Sequence, residues 1–343
     1  MRRRRNVVRL HVLQELGAGE ELGQLAREEA LLVLGQLDAR ELRDAREIVE
    51  GEVGWHIGIV TEPLVMSVRA AAVAGTWYPG TAGALAREVD GYLDAAAEGP
   101  VGRITAVVAP HAGMMFSGPV AAYAYKAAAR APYDEAVLVG PSHFVGFDGV
   151  ALYPEGAFAT PLGPAEIDGD LAARIARASV VRAMPSAHAR EHSLEMQLPF
   201  VRRVMPQVTI VPLLMGYQTR DTIGELAAAL ADALGGRRSL LVASTDLSHY
   251  FDARTAASLD GRVQERVASF DPEGLLEILE EYPEDERGRC VGCGAGPMIA
   301  VLMAARALGA REARVLRYAH SGEVSGDYDG VVGYMAAAIG VFE

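Results

Sequence analysis

The stretch ITAVVAPHAG, residues 104–113, decides the fold. Its first part, Ile104–Ala109, is a mostly apolar run that ends at a proline and is followed at once by His111. An apolar run of this length between turn residues is typical of a strand buried on both faces. Such strands occur in parallel sheets that helices cover on both sides, so the stretch predicts an α/β protein.

Two further stretches repeat this arrangement. The run AVLVG at residues 136–140 leads into Pro-Ser-His, and SLLVA at residues 239–243 leads into Ser-Thr-Asp-Leu-Ser-His. In open α/β sheets, ligands bind beyond the carboxyl ends of the strands. We therefore expect four side chains from these strand ends to share one pocket: His111, His143, Asp246 and His249.

The first 65 residues have a different texture from the rest of the chain. They are rich in Leu, Glu and Arg, with helical spacing over residues 20–37 and 39–49 and a short strand pattern over 53–60. Either Met66 is the natural start, or residues 1–65 form a helical N-terminal extension. Strand patterns alternate with helical patterns from there on, and residues 66–343 are predicted to form one α/β domain.

Composition narrows the class of protein. The 343 residues are 50% hydrophobic and 22% charged, which supplies a sizeable core and argues against global disorder. The net charge of −13 argues against nucleic acid as the main partner. No apolar run reaches the roughly 20 residues that span a bilayer, and we expect a cytoplasmic protein.

The two cysteines, Cys290 and Cys293, exclude a disulfide framework. Both lie just before a helix predicted to begin at Pro297, where the helix dipole favours a thiolate. A thiolate there suits a metal ligand or a nucleophile. The C-x-x-C spacing is also compatible with a redox pair, half of a zinc ribbon, or two inert buried residues.

A polar segment, Glu191–Glu195, precedes a helix predicted over residues 195–205, with Pro199 as a candidate kink. Its side chains suit either of two roles. They can cap the helix, or His192 can reach the pocket as a base or a substrate contact.

Five motifs in order resemble the signature of the Memo family, whose bacterial and archaeal members are also called AmmeMemoRadiSam system protein B. They are PHAG at 110–113, GPSH at 140–143, EHSLEM at 191–196, STDLSH at 244–249 and CG at 293–294. GTWYP at 75–79 resembles the family's opening motif, and SGDY at 325–328 with VVGY at 331–334 resembles its close. The resemblance extends from Ser67 to the C-terminus.

The resemblance implies a three-layer α/β/α sandwich with a central, mostly parallel or mixed sheet, similar to the class III extradiol (LigB-like) non-haem iron dioxygenases. It implies a metal held by His111, His143 and Cys293, with Asp246 and His249 beside it. It further implies copper or iron, redox activity that in some members reduces oxygen to superoxide, and as partners a radical-SAM protein and an AMMECR-type protein.

Three functions remain open from the sequence. The first is a metal-dependent, dioxygenase-like oxidoreductase of unknown substrate. In it His249 moves a proton, Asp246 orients a neighbour, and His192, Glu195 and Trp77 line or support the pocket. The second is an adaptor whose vestigial pocket binds a peptide or small ligand, with Trp77 and Tyr78 as contacts. The third is a zinc-dependent hydrolase.

Overall fold

A computed structural model describes residues 9–12, 57–60 and 68–343. The chain divides into two compact units, residues 1–66 and 67–343. In the first unit, β1 (Arg9–Val12) pairs with β2 (Ile57–Val60) in an antiparallel ladder. The second strand falls within the strand pattern over residues 53–60. The helices predicted over 20–37 and 39–49 lie outside the described residues.

The second unit alternates strands and helices along the chain. Its strands are β3 (Val68–Arg69), β4 (Gly102–Ala109), β5 (Glu135–Pro141), β6 (Val150–Leu152), β7 (Ala157–Phe158), β8 (Ala165–Glu166), β9 (Val181–Ala183), β10 (Thr209–Met215), β11 (Ser239–Ser244), β12 (His249–Phe251), β13 (Glu312–His320) and β14 (Val331–Phe342). Its helices are α1 (Ala82–Ala95), α2 (Met114–Ala128), α3 (Gly169–Ile175), α4 (Pro185–His188), α5 (Leu198–Val204), α6 (Arg220–Leu234), α7 (Ala253–Ala268), α8 (Pro272–Glu280), α9 (Glu284–Cys290), α10 (Ala295–Ala307) and α11 (Gly322–Ser325).

Nine strands form the main sheet in the order β12-β14-β4-β11-β5-β10-β6-β9, with β13 paired to β14. The four strands β4, β11, β5 and β10 run parallel to one another. The strands β14 and β6 join them antiparallel on either side. The sheet is therefore mixed with a parallel centre, and β3, β7 and β8 form a separate small sheet.

Helices cover both faces of this sheet. Along β5, Val137 and Val139 pack with α6, α8 and α10, whereas Ala136 and Leu138 pack on the other face with α1, α2 and α5. Alternate side chains of a strand point to opposite faces, so an apolar run buried throughout needs a helical layer on each side. The predicted three-layer α/β/α sandwich is confirmed.

Two features differ from the sequence-based expectations. A 3₁₀ turn at Glu195–Gln197 precedes α5, so Pro199 lies in the first turn of that helix, where no backbone donor is lost. The predicted kink is therefore wrong. The helices α8 and α9 were not predicted. Among the described residues no single helix is long and apolar enough to span a membrane, and α9 with α10 meets that composition only as a pair bent by 77°.

Candidate metal centre

The parallel centre of the sheet brings the predicted site residues to one edge. The strands β4, β11 and β5 are neighbours, and they end just before His111, Asp246 and His143 respectively. These three side chains line a cavity of about 470 Å³. Four other predicted residues line it too: Cys293, His249, His192 and Trp77.

Cys293 is held by the loop between α9 and α10. The backbone N–H of Gly294 donates to Thr245 Oγ1 at 3.0 Å, and Gln218 Nε2 donates to the carbonyl of Cys293 at 2.6 Å. A Cβ on Gly294 would lie 2.3 Å from the carbonyl oxygen of Ser244, so only glycine fits beside this cysteine. The loop thereby places Cys293 Sγ 3.1 Å from His111 Nε2.

The tautomer of His111 follows from its hydrogen bonds. Its Nδ1 lies 2.8 Å from Ser244 Oγ, whose single proton is donated to the carbonyl of Ser193 at 2.7 Å. The same hydroxyl accepts from Gln197 Nε2 at 2.7 Å. Because its proton is already committed, Ser244 accepts from Nδ1–H of His111. The lone pair of His111 Nε2 then faces Cys293, as a ligand nitrogen requires.

Gln197 is itself oriented by its neighbours. Its Nε2 donates to the carbonyl of Pro110 at 3.1 Å, and its Oε1 accepts from the buried hydroxyl of Tyr125 at 2.8 Å. A carbonyl only accepts and this hydroxyl donates, so the amide has one orientation. The hydrogen bonds that fix His111 therefore extend into the core.

His143 is oriented by a carboxylate. Its Nδ1 lies 2.9 Å from Glu191 Oε1, and its backbone N–H donates to Glu191 Oε2 at 2.6 Å. Glu191 Oε1 also accepts from the backbone N–H groups of His192 and Ser193 at 2.8 and 2.9 Å. Nδ1 is thus committed to a nearly buried carboxylate, which leaves Nε2 as the nitrogen free to act as a ligand.

The protonation states follow from burial and these contacts. Burial lowers the pKa of His111 well below its ordinary value, so its imidazole is neutral. Burial also lowers the pKa of His143, but bonds to Cys293 and Glu191 outweigh it and raise that pKa to about 10. Burial raises the pKa of Glu191, but contact with His143 outweighs it and lowers the value to about 2. Burial raises the pKa of the Cys293 thiol, an effect opposite to that expected from the helix dipole.

Asp246 and His249 occupy the wall beside the cysteine. Asp246 Oδ1 accepts from the backbone N–H of His111 at 2.7 Å and of Ala112 at 3.3 Å, so it fixes the loop that carries the first histidine. Burial raises the pKa of Asp246 and lowers that of His249. His249 Nδ1 is buried and has no hydrogen-bond partner among the residues that the structure describes.

Aromatic rings form another part of the cavity wall. The ring of His192 stacks on that of His143, with centroids 4.5 Å apart, and the indole of Trp77 lies 4.3 Å from His192. Burial, and then the charge on His143, lower the pKa of His192 to about 4. A neutral imidazole and an indole, tilted by 51° to each other, give this wall an uncharged aromatic surface.

Glu195 was predicted to contact substrate or support the pocket, and it does not line the cavity. It is completely buried and pairs with Arg69. Its carboxylate also accepts from Tyr78 Oη at 2.8 Å and from the backbone N–H groups of Ala72 and Val73. Glu195 therefore anchors the segment that carries Trp77. Tyr78 is itself only 3% exposed, so it is not available for the partner contact that the adaptor alternative assigned to it.

The second cysteine takes no part in the cluster. Cys290 and Cys293 are both free thiols in the structure. Cys290 is the last residue of α9, and its Sγ lies 3.8 Å from Glu286 Oε2. Its burial raises the pKa of this thiol.

The donors present suit a transition metal. Nitrogen, sulfur and carboxylate ligand atoms of His111, Cys293 and Asp246 lie within 4.8 Å of one another, and so do nitrogens of His111, His143 and His192. The predicted ligand set of His111, His143 and Cys293 is divided between these two groups, which share His111. Two ligands on one tetrahedral ion, with bonds of about 2.3 Å to sulfur and about 2.0 Å to nitrogen, lie about 3.5 Å apart. The observed 3.1 Å between sulfur and nitrogen needs an opening of only a few tenths of an ångström.

The fold and this cluster define an α/β/α protein with a candidate centre of nitrogen and sulfur donors at the carboxyl ends of its parallel strands. The model of the Memo-like protein family matches residues 69–338, and the chain belongs to this Memo family. A MEMO1 family protein from Methanopyrus kandleri is 40% identical over 283 residues, which cover 78% of this chain and 97% of the relative. One from Methanothermobacter thermautotrophicus is 37% identical over 278 residues, 78% of this chain and 98% of the relative.

A solved structure supports the fold independently. The crystal structure of an uncharacterized protein from Escherichia coli K12 superposes with a TM-score of 0.51 at 17% identity. The match covers 69% of this chain and 100% of that protein.

Sequence reasoning missed four residues of this site. Ser244 and Gln197 fix His111, Glu191 fixes His143, and Arg289 lines the cavity. The position of Ser244 at the end of an apolar run was a usable signal, since the neighbouring strands end in histidines. For Arg289 the sequence offers no such signal.

Proposed function

We propose that this protein binds one transition metal ion through His111, His143 and Cys293 and uses it for redox chemistry on a small ligand that enters the cavity. The observation that carries the proposal is the way in which hydrogen bonds orient the rings of both histidines. Each imidazole commits Nδ1 to a buried partner, Ser244 or Glu191, and turns Nε2 toward the cavity. Metal-ligating histidines are held in this way.

The donor set favours copper or iron. Two imidazoles and one thiolate are softer than the carboxylate-rich sets that hold magnesium or calcium, and they leave a coordination position free for a ligand. When bound, such an ion supplies electron transfer or activation of oxygen. Zinc accepts the same donors, and zinc as the native metal would favour the hydrolase alternative.

The residues around the centre have separate roles in this proposal. His249 is neutral near pH 7, because its burial lowers its pKa, and it can accept a proton from a ligand in the cavity. Asp246 holds the backbone of His111 in place. Trp77 and His192 form an aromatic wall against which an apolar part of the ligand packs.

Metal analysis tests the proposal. Protein purified without chelator and without oxygen is expected to hold close to one copper or iron per chain. Cys293→Ala is expected to lose it, while Cys290→Ala, the matched control only three residues away, keeps it. Oxygen uptake is then measured on the loaded protein. No metal in the wild type, even after reconstitution, would overturn the proposal and favour the adaptor.

A further inference from the structure

The mouth of the cavity carries a cation that the metal centre does not use. Arg289 lines the cavity together with Gly288 and Tyr250, and its side chain is 49% exposed. Among the described residues that line the cavity, Arg289 alone has a permanent positive charge. The whole chain has a net charge of −13 and repels anions, so a local cation at the mouth has a specific electrostatic effect.

The guanidinium of Arg289 is held in place but not neutralised. It stacks over the ring of Phe251, with its central carbon 4.4 Å from the ring centroid. Its nearest carboxylate, Glu286, lies 3.8 Å away, which is too long for a hydrogen bond. The stack limits the motion of the side chain, while its N–H donors stay available to a ligand.

The backbone conformation of the neighbouring Tyr250 indicates that the mouth of the cavity is shaped for a ligand. Tyr250 has a φ of +63°, in the left-handed region that non-glycine residues rarely adopt. Its ring is 70% exposed and lies beside His249, with centroids 5.7 Å apart. Backbone strain of this kind persists chiefly at ligand clamps and active sites.

We propose that this cavity takes a small ligand with an anionic oxyacid group, a carboxylate or a phosphate ester, which pairs with Arg289 while its other end faces Cys293 and the two histidines. The planar fork of an arginine matches the paired oxygens of both groups. The rings of Trp77 and His192 provide an uncharged aromatic wall against which an apolar ligand body can pack. The inference rests on the proposed function in one respect only, the metal centre that the far end of the ligand faces.

Ligand-observed NMR titrations test the inference, with benzoate, phenyl phosphate and neutral benzamide as probes. They are run on metal-free protein and on protein loaded with redox-inert zinc. Arg289→Gln is expected to weaken binding of at least one anion by tenfold or more, about 1.4 kcal/mol, and to leave benzamide binding unchanged. Arg289→Lys keeps the charge without the fork and is expected to lose less.

Arg190→Gln is the matched control. Arg190 also stacks on an aromatic ring close to the site, 5.2 Å from the centroid of Phe144, but it does not line the cavity. Its variant is expected to bind each probe as the wild type does. Preference for benzoate identifies a carboxylate ligand, and preference for phenyl phosphate identifies a phosphate ester.

Three results would overturn the inference. They are equal anion binding in the wild type and Arg289→Gln, an equal loss in Arg190→Gln, and no saturable binding of either anion. Binding that depends on Arg289 in a protein that takes up no metal would refute the proposed metal function alone. Metal uptake with no effect of Arg289 would refute the ligand class alone.

Discussion

Replacing Ser244 by alanine should weaken metal binding through a residue that does not touch the metal. In the wild type, the hydroxyl of Ser244 accepts from His111 Nδ1–H and from Gln197 and donates to the carbonyl of Ser193. Without it, Nδ1–H of His111 is left unpaired in a fully buried position. The imidazole can avoid this by moving its proton to Nε2, which is the nitrogen that faces Cys293.

The magnitude follows from that loss. An unpaired buried donor costs about 1–3 kcal/mol, and we expect the free energy of unfolding of Ser244→Ala to fall by that amount. Loss of the partner that orients a ligand histidine lowers metal affinity by about 10- to 100-fold. Urea denaturation measures the first quantity. Competition against a chromophoric chelator, with copper or zinc, measures the second.

Ser193→Ala provides the matched control. Ser193 is as completely buried as Ser244, and its hydroxyl donates to the carbonyl of Pro141 at 2.9 Å and to neither histidine ring. This variant should lose about 1 kcal/mol of stability and keep its metal affinity within about threefold. Nitrogen-15 NMR of the metal-free wild type should show His111 protonated at Nδ1. Protonation at Nε2, or equal metal affinities in the two serine variants, would refute the reasoning.

Two further predictions follow from the pKa values. Metal binding near pH 7 should release at least one proton, because His143, whose pKa is about 10, and Cys293, whose pKa burial raises, must both be deprotonated to act as ligands. Calorimetry in two buffers of different ionisation enthalpy should show a smaller release for Glu191→Gln, because the ion pair that holds the His143 proton is gone; an unchanged release would contradict this. The buried His188, whose Nε2 lies 3.1 Å from a backbone carbonyl oxygen, has its pKa lowered by burial to about 4. The neutral imidazole of His188 therefore contributes to the free energy of unfolding. This contribution is fully present above the unfolded pKa of about 6.5, and it is lost as pH falls toward 4, by at most about 3 kcal/mol. Urea titrations over that range should show a shallower decline for His188→Gln, and parallel curves would count against the assignment.

The sequence was sufficient to predict the centre of the sheet because one constraint, burial of the strands on both faces, acts there. Residues 104–109, 136–140 and 239–243 are apolar except for Thr105 and Ser239, and each run forms the core of a parallel strand, β4, β5 and β11. Neighbouring parallel strands end at one edge, which places His111, His143 and Asp246 together. Neither step depends on how loops pack.

Loop packing decides what the sequence could not predict. Glu191 and Glu195 lie four residues apart in one segment and have the same chemistry, and of the two only Glu195 was named among the residues that line or support the pocket. The structure turns Glu191 toward His143, 48 residues away in sequence, and Glu195 toward Arg69, 126 residues away. Because the partners of these two carboxylates are so distant in the sequence, no local sequence pattern shows which carboxylate faces the site.

The same segment explains why the site is built as one unit. From Glu191 to Gln197, its polar groups bind three different parts of the molecule. Glu191 binds His143, and Gln197 with the carbonyl of Ser193 binds Ser244 behind His111. Glu195 binds the chain that carries Trp77. One segment of seven residues thus sets the distance between the two histidines and the position of the wall beside them. A shift of this segment would therefore displace both candidate metal ligands and the pocket wall together, so its role exceeds the helix capping that its sequence suggests.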